Sequence, residues 1–442
     1  MQIVMGVNAY ARSQGKPDQV VWDTTKLING HVLIMGKSGT GKTYTLKKML
    51  DQISKQARVR AHVMDVHGDI DIEEASTVKF SEATTYGFNP LTINPDPDFG
   101  GVRKRVRSFI AALSRTGFRL GPKQEAALRN ILVDLYAANG FYENDPNSWK
   151  INDGTQRQWP KKYPSMEDAV RFANAKLRSM FLGTSSESVA ALEKLYRKQT
   201  QFHSRLKKLN RAGKSVTEEM EAGQKEIDNL KNEASDLYRQ HLDAMVSGHE
   251  LEDLIKYDSK DVIKSVVDRL ENLNSIGIFR PARPPFDPQN PIWRYDIKSL
   301  APDEKKLFVS FILEAIFHKA AQRGVQKDLV EIIVLDEAHL FLTDDPENPI
   351  NIIAKEARKF GLGLFAASQS PTHFSDDFIS NVSTKIILGI DQMYWDGSVR
   401  KLKVELKALE WIVPQQKLIM QMNNLGQTRN DFIWVSLAGD RA

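Results

Sequence analysis

The 442-residue sequence contains no cysteine. This absence excludes a disulfide scaffold, a zinc site built on thiolates and a cysteine nucleophile, and it fits a reducing compartment. The sequence also lacks a long apolar run, since the longest ones, near residues 307–317 and 332–342, are interrupted and too short to cross a bilayer. Nothing at the amino end resembles a secretion signal. We therefore predict a cytoplasmic protein without membrane insertion.

Neither sign of charge is in large excess. The chain has 61 Lys and Arg against 56 Asp and Glu, which gives a net charge of +5. This balance permits nucleic-acid binding without demanding it. Hydrophobic residues make up 41% of the chain and aromatic residues 9%, so global disorder is excluded. The length allows two or three domains.

Apolar runs with strand character lie towards the two ends of the chain. They are residues 31–36, 61–66, 331–335, 362–368, 385–390, 417–422 and 431–436. Helical patterns at 42–56 and 303–322 separate some of them. This alternation predicts an α/β fold with a mostly parallel sheet covered on both faces. Short β-type runs at 2–6 and 19–22 predict a small N-terminal β element over residues 1–30.

The middle of the chain has a different character. Residues 101–285 are rich in charge and helix formers, and we predict that they form a helical insertion between two parts of one core, 31–100 and 286–442. Within the insertion, two heptad runs over 186–245 flank a glycine-containing turn and predict an antiparallel helical hairpin. Two ordinary amphipathic helices packed on the domain are the alternative.

A glycine-rich segment joins the first apolar strand to the following helix. It matches the pattern G-x-x-x-x-G-K-[ST] in full, as Gly36-Lys37-Ser38-Gly39-Thr40-Gly41-Lys42-Thr43. Glycines let successive N–H groups point at phosphate oxygens, and the helix start adds its positive dipole end. We predict that this P-loop and Tyr44 bind ATP, that Lys42 reaches the β- and γ-phosphates, and that the Thr43 hydroxyl binds Mg²⁺. For Lys37, simple solvent exposure is the alternative.

An acidic couplet follows the strand at 331–335. Asp336 is placed to hold the Mg²⁺ shell, and Glu337 is placed to polarise the attacking water. A strand that merely ends in acidic turn residues is the alternative, but the complete P-loop argues against it. A glutamate after the metal-binding aspartate favours hydrolysis of ATP over phosphorylation of a small molecule. No histidine pattern has zinc-ligand spacing, so we expect ATP and Mg²⁺ and no zinc.

These motifs and several further segments resemble the HerA/FtsK group of P-loop motor ATPases, above all HerA and the ATPases of conjugative secretion. The further segments are residues 63–69, 87–91, 269–277, 295–300 and 356–371. The resemblance implies a RecA-like fold, ATP hydrolysis and assembly into a ring, which we expect to be a homo-hexamer.

The resemblance also implies roles for single residues. Gln369, after the strand 362–368, matches a position that contacts the γ-phosphate or the water, with a turn glutamine as the alternative. Arg358 matches an arginine finger offered to a neighbouring subunit, with a salt-bridged surface arginine as the alternative and Lys359 as a competing candidate. Asp65 and His67 match groups near the active centre, with a turn-capping role as the alternative for His67.

Three functions are consistent with these motifs. The main prediction is a ring ATPase that translocates along or remodels duplex DNA. The first alternative is the ATPase of a conjugation or secretion complex, which the segment 87–91 and the helical insertion favour. The second is a ring whose nucleotide state controls a partner nuclease or other effector in anti-phage defence. Basic residues at 103–107 and 194–214 are candidate DNA contacts, although neutralisation by the acidic second arm of the hairpin is the favoured explanation for the latter.

Overall fold

The computed structural model describes residues 1–151, 161–182, 217–243 and 256–437, with gaps at 17, 57–58 and 344, and also Lys194, Leu195 and Lys198. It divides into two compact units. The first comprises Met1–Pro90, Ala111–Arg119 and Ile276–Ala442, and the second comprises Leu91–Ile110 and Leu120–Ser275. All the described strands belong to the first unit, whereas the second is helical.

Eleven strands form one sheet in the described part of the chain. They are β1 (Gln2–Asn8), β2 (Gln19–Asp23), β3 (Val32–Gly36), β4 (Arg60–Asp65), β5 (Ser76–Lys79), β6 (Ile292–Asp296), β7 (Glu331–Leu335), β8 (Leu362–Ser368), β9 (Thr384–Gly389), β10 (Lys417–Met422) and β11 (Ile433–Ser436). Their order is β2-β1-β11-β10-β9-β3-β8-β7-β4-β6-β5. From β9 to β5 all neighbours are parallel, and the remaining strands continue the sheet in antiparallel fashion.

This sheet confirms the predicted mostly parallel α/β fold, with two differences in detail. The N-terminal strands are part of the main sheet, because β1 pairs with β11. Strands β5 and β6 were not predicted from the sequence. β6 reads Ile-Trp-Arg-Tyr-Asp, and its charged Arg294 hides the strand pattern, yet that side chain is buried against Asp65. A buried ion pair of this kind cannot be read from a local hydrophobic pattern.

The helices of the described residues lie between these strands and in the second unit. They are α1 (Ala9–Ser13), α2 (Lys42–Ser54), α3 (Val102–Ser114), α4 (Pro122–Ala138), α5 (Met166–Leu182), α6 (Thr217–Asp243), α7 (Lys260–Ser275), α8 (Pro302–Arg323), α9 (Pro349–Glu356), α10 (Asp376–Asn381), α11 (Trp395–Leu402) and α12 (Leu406–Trp411). None of the helices among these residues combines the length and apolarity needed to span a membrane.

The core of the first unit fixes where α2 begins. Leu46, Met49, Leu50 and Ile53 recur at helical spacing on α2, are buried, and pack in one cluster with alternate residues of β3. Each such burial contributes about 1.5–3 kcal/mol. Because β3 and α2 are both held by this core, the residues between them must form a tight turn at the end of the sheet.

The predicted hairpin over 186–245 falls only partly on described residues. Its second arm is the helix α6. In the first arm, Lys194, Leu195 and Lys198 are helical, and Lys198 forms an ion pair with Glu233 of α6. An ion pair between the two arms is the contact that we expect if the basic charge of one arm is neutralised by the acidic charge of the other. The remainder of the basic arm up to residue 214 lies outside the described residues.

Candidate active site

The P-loop forms the turn between β3 and α2. Gly39 and Gly41 have φ values of +80° and +97°, in the region that favours glycine. A Cβ atom on Gly36 would lie 2.4 Å from the Thr40 hydroxyl oxygen, whereas one on Gly39 would meet nothing within 4 Å. The loop is therefore closed on one side by Thr40 and open on the other, as a backbone cradle for phosphate requires.

Lys42, the first residue of α2, connects this loop to the end of β7. Its side chain is buried, and its Nζ donates a hydrogen bond to the carbonyl of Gly36 at 2.8 Å. The same Nζ lies 3.7 Å from Oε1 of Glu337. Lys42 and Glu337 are 295 residues apart in the chain (337 − 42 = 295), and the fold brings them into one site.

The other predicted P-loop residues are more exposed. Ser38 is exposed, Thr43 is half-buried, and the Tyr44 side chain is 63% exposed. Lys37 is exposed, and its Nζ lies 3.7 Å from Oδ2 of Asp391, so its part in nucleotide binding stays a prediction. Thr43 and Tyr44 are consequently accessible to a ligand seated on the loop.

Asp336 has the environment expected of a cation ligand. It follows β7, which is separated from β3 by β8 alone, so its carboxylate lies at the same sheet edge as the P-loop. Burial, together with the negative charges of Glu337 and Asp69, raises the pKa of Asp336 to about 6. A bound cation would relieve this repulsion. No group of three or more His, Asp or Glu side chains in the described ranges forms a metal cage, and Mg²⁺ commonly uses one or two protein ligands together with phosphate oxygens and water.

Glu337 is held from two sides. Its backbone has φ +50° and ψ +49°, a left-handed conformation that is costly for a side-chain-bearing residue. Burial opposes ionisation of its carboxyl group, but His339 and Lys42 outweigh burial, so the pKa of Glu337 is lowered. The side chain is therefore an anionic acceptor beside the P-loop, which is what polarising a water molecule demands.

Gln369 and Arg358 flank β8 at opposite ends. Gln369 is exposed and follows Ser368. Because Ser368 pairs with Met35 of β3, Gln369 lies at the same end of the strands as the P-loop. Arg358 is exposed and precedes β8, and its charge helps to lower the pKa of buried His31 at the start of β3. The length of β8, roughly 20 Å at about 3.3 Å per residue, separates Arg358 from the P-loop of its own chain.

Asp65 and His67 occupy different environments in the turn after β4. Asp65 is fully buried, and its Oδ2 accepts hydrogen bonds from Nε and Nη2 of Arg294 at 2.8 and 2.6 Å. Its Oδ1 accepts one from the backbone of Gly68 at 2.7 Å. His67 is exposed, and its electrostatic influence reaches Asp336. Asp65 thus shapes the turn that carries His67, and direct contact of either with nucleotide stays a prediction.

Sequence reasoning missed several residues at this edge. His339 lies beside Glu337, and Ser368 contacts both His339 and His373. Gln415 donates a hydrogen bond from Nε2 to the Gly39 carbonyl at 3.2 Å, across 376 residues of sequence. The only local signal was the position of His339 just after the acidic couplet. No local sequence pattern marks Gln415, because the turn before β10 brings it next to the P-loop only in the folded chain.

Parts of the chain are similar to a known protein family and to several known proteins. Residues 13–97, which include the P-loop, match the family described as the central domain of the helicase HerA. Proteins named DNA double-strand break repair helicase HerA are similar over parts of the chain. The protein of Pyrococcus furiosus is 28% identical over 22% of this chain and 23% of its own, and that of Sulfurisphaera tokodaii is 27% identical over 41% and 38%. The matches therefore span well under half the length of these relatives.

Solved structures resemble the whole chain. VirB4 of Thermoanaerobacter pseudethanolicus superposes with a TM-score of 0.63 at 14% identity and covers 99% of this chain and 96% of its own. The bacterial conjugative coupling protein TrwB has a TM-score of 0.51 at 10% identity and covers 99% and 93%. The resemblance to the HerA group is confirmed. The chain shares the α/β fold of VirB4 and TrwB, with the acidic couplet and the P-loop at the same end of the parallel strands.

Proposed function

We propose that this chain is an ATP hydrolase that assembles into a ring and translocates along or remodels duplex DNA. The observation that carries the proposal is the convergence of Lys42 and Glu337, 3.7 Å apart, at the open side of the P-loop. A phosphate-binding lysine beside an anionic water-polarising group is the minimal requirement for hydrolysis of a phosphoanhydride. The curated relatives named as HerA helicases support DNA as the substrate on which turnover acts.

The residues present fit ATP and Mg²⁺. The open cradle at Gly39 accepts phosphate oxygens, and the accessible Thr43 hydroxyl and buried Asp336 carboxylate would hold Mg²⁺. The metal, when bound, would neutralise developing phosphate charge. Glu337 would then orient water, and Gln369 would contact the γ-phosphate or that water. A TrwB structure with the same fold contains ADP and Mg²⁺, which supports this choice of ligands.

The position of Arg358 supports assembly into a ring. Because Arg358 and the P-loop lie at opposite edges of the sheet, a head-to-tail contact would bring the arginine of one copy to the P-loop of the next. Repetition of such a heterologous contact closes into a ring when the rotation between copies allows it. Six copies is the number that the family resemblance favours.

An ATPase of a conjugation or secretion complex is the second candidate. Its support is the likeness to VirB4, which extends over 99% of this chain. Control of a partner nuclease or other effector in anti-phage defence is the third hypothesis. Only the first function makes duplex DNA the direct stimulus of turnover.

The test measures ATP turnover with and without duplex DNA. We expect duplex DNA to accelerate turnover, and Glu337→Gln to reduce it by at least about 100-fold while ATP stays bound. Lys42→Ala should lose nucleotide binding. Glu410→Gln, at an exposed position on α12, is the matched control and should behave as the wild type. Tight ATP binding by Lys42→Ala would reject the P-loop assignment, and turnover indifferent to DNA would reject translocation.

A further inference from the structure

His339, Ser368 and His373 form a cluster that contacts Glu337 through His339, at the carboxylate oxygen that does not face Lys42. Nδ1 of His339 lies 3.2 Å from Oε2 of Glu337. Oγ of Ser368 lies 3.5 Å from Nδ1 of His339 and 2.9 Å from Nδ1 of His373. The centroids of the two imidazole rings are 4.8 Å apart. A continuous line of polar contacts therefore runs from the carboxylate to the loop that follows β8.

The buried hydroxyl group of Ser368 links the two histidines. Ser368 is the last residue of β8 and is fully buried, so its hydroxyl group has few partners to choose from. A hydroxyl group has one proton to donate and two lone pairs that accept, so Ser368 can donate to one imidazole while it accepts from the other. A displacement of Ser368 at the end of β8 would therefore change its contacts with both histidines.

Glu337 combines a strained backbone with a carboxylate group that has a neighbour at each of its oxygens. A non-glycine residue persists in the left-handed region when its surroundings hold it there. At Glu337 each carboxylate oxygen has a different neighbour: Oε1 lies 3.7 Å from Nζ of Lys42, and Oε2, which accepts no hydrogen bond in the described structure, lies within ion-pair distance of Nδ1 of His339. Loss of either contact would leave the carboxylate free to rotate away from the P-loop.

We propose that His339, Ser368 and His373 position the Glu337 carboxylate and couple it to the loop carrying Gln369. The inference rests on the hydrolase function proposed above. The two histidines are positioning residues, because they act through Glu337 and Ser368 and not on the reacting atoms. Gln369 directly follows Ser368, so movement of the Gln369 loop displaces Ser368 and thereby alters the contact of His339 with Glu337.

The test compares His339→Ala and His339→Asn by steady-state hydrolysis and equilibrium ATP binding. A displaced water-polarising group slows the reaction without weakening ground-state binding, so we expect kcat to fall about tenfold for His339→Ala with the Kd for ATP within about twofold of wild type. His339→Asn should recover much of kcat, because its amide N–H can replace Nδ1. His318→Ala is the matched control, since it removes another histidine–glutamate contact, His318 Nε2 to Glu314 Oε1 at 3.3 Å on α8.

The coupling is tested with His373→Ala and the double variant His339→Ala/His373→Ala. Residues of one contact line should show non-additive effects on kcat. Additive losses, unchanged kcat in His339→Ala, or a loss of ATP affinity as large as the loss of kcat would each overturn the inference. A wild-type protein that binds ATP and never hydrolyses it would instead reject the hydrolase function itself, so the two failures are distinguishable.

Discussion

At the scale of single residues, the buried carboxylate of Asp65 stabilises the turn after β4, which lies next to the candidate site. Its carboxylate is paired with Arg294, which is itself nearly buried, and it also closes the turn through the backbone of Gly68. Among the described residues Arg294 has one other acidic neighbour, the exposed Asp71 at 3.8 Å, and an exposed pair of this kind contributes little to stability. Removal of one partner of a buried pair leaves the other charge uncompensated.

We therefore predict that Asp65→Ala lowers the free energy of unfolding by about 3 kcal/mol. His67→Ala, two residues away and exposed, should change it by less than about 0.5 kcal/mol. Chemical denaturation of the three proteins measures both values. An Asp65→Ala protein of wild-type stability that no longer binds ATP would show that Asp65 acts on the nucleotide and not on the turn.

At the scale of elements, His31 connects the strands that carry the P-loop and Gln369. It lies just before β3, is fully buried, and its Nδ1 accepts a hydrogen bond from the backbone N–H of Leu364 in β8 at 3.0 Å. In the described structure its Nε2 has no hydrogen-bond partner. Burial, aided by the charge of Arg358, lowers the pKa of His31 to about 4.

The pH dependence of stability follows from this lowered pKa. The unfolded chain binds a proton at His31 below about pH 6.5 and the folded chain does so only near pH 4, so stability is present above pH 6.5 and is lost as the pH falls through this window. The loss is at most about 3 kcal/mol. His31→Asn, whose side-chain oxygen can accept from Leu364, should remove this part of the pH dependence in denaturation at pH 7 and pH 4.5. The control His318→Asn should retain it, and an unchanged slope in His31→Asn would contradict the prediction.

At the scale of the whole molecule, the opposite placement of Arg358 and Glu337 means that, in the proposed ring, each catalytic site would depend on two copies of the chain. Arg358 lies before β8, and the P-loop lies beyond its far end. A trans-acting arginine stabilises transition-state charge and typically contributes 10³–10⁵-fold to turnover. Its removal should therefore spare nucleotide binding.

Mixing experiments test this dependence. We expect Arg358→Ala to bind ATP normally and to lose about 1,000-fold in turnover. An equal mixture with Glu337→Gln should regain part of the activity, because some interfaces then combine an intact Glu337 with an intact Arg358. Lys359→Ala tests the competing candidate and should keep its turnover if Arg358 is the residue that acts across copies. If the mixture is no more active than the separate variants, Arg358 does not act across copies.

The sequence by itself determined the P-loop, the acidic couplet and most strands of the sheet. Those features depend on consecutive residues, such as the glycines of 36–41 or the apolar run of β7, and local spacing encodes their chemistry. The tertiary structure alone decided that Arg294 of an unpredicted strand neutralises Asp65, and that His339, His373 and Gln415 surround the site. These contacts join residues separated by 5 to 376 positions, and the longer ones form only when strand order has been set by packing across the whole sheet.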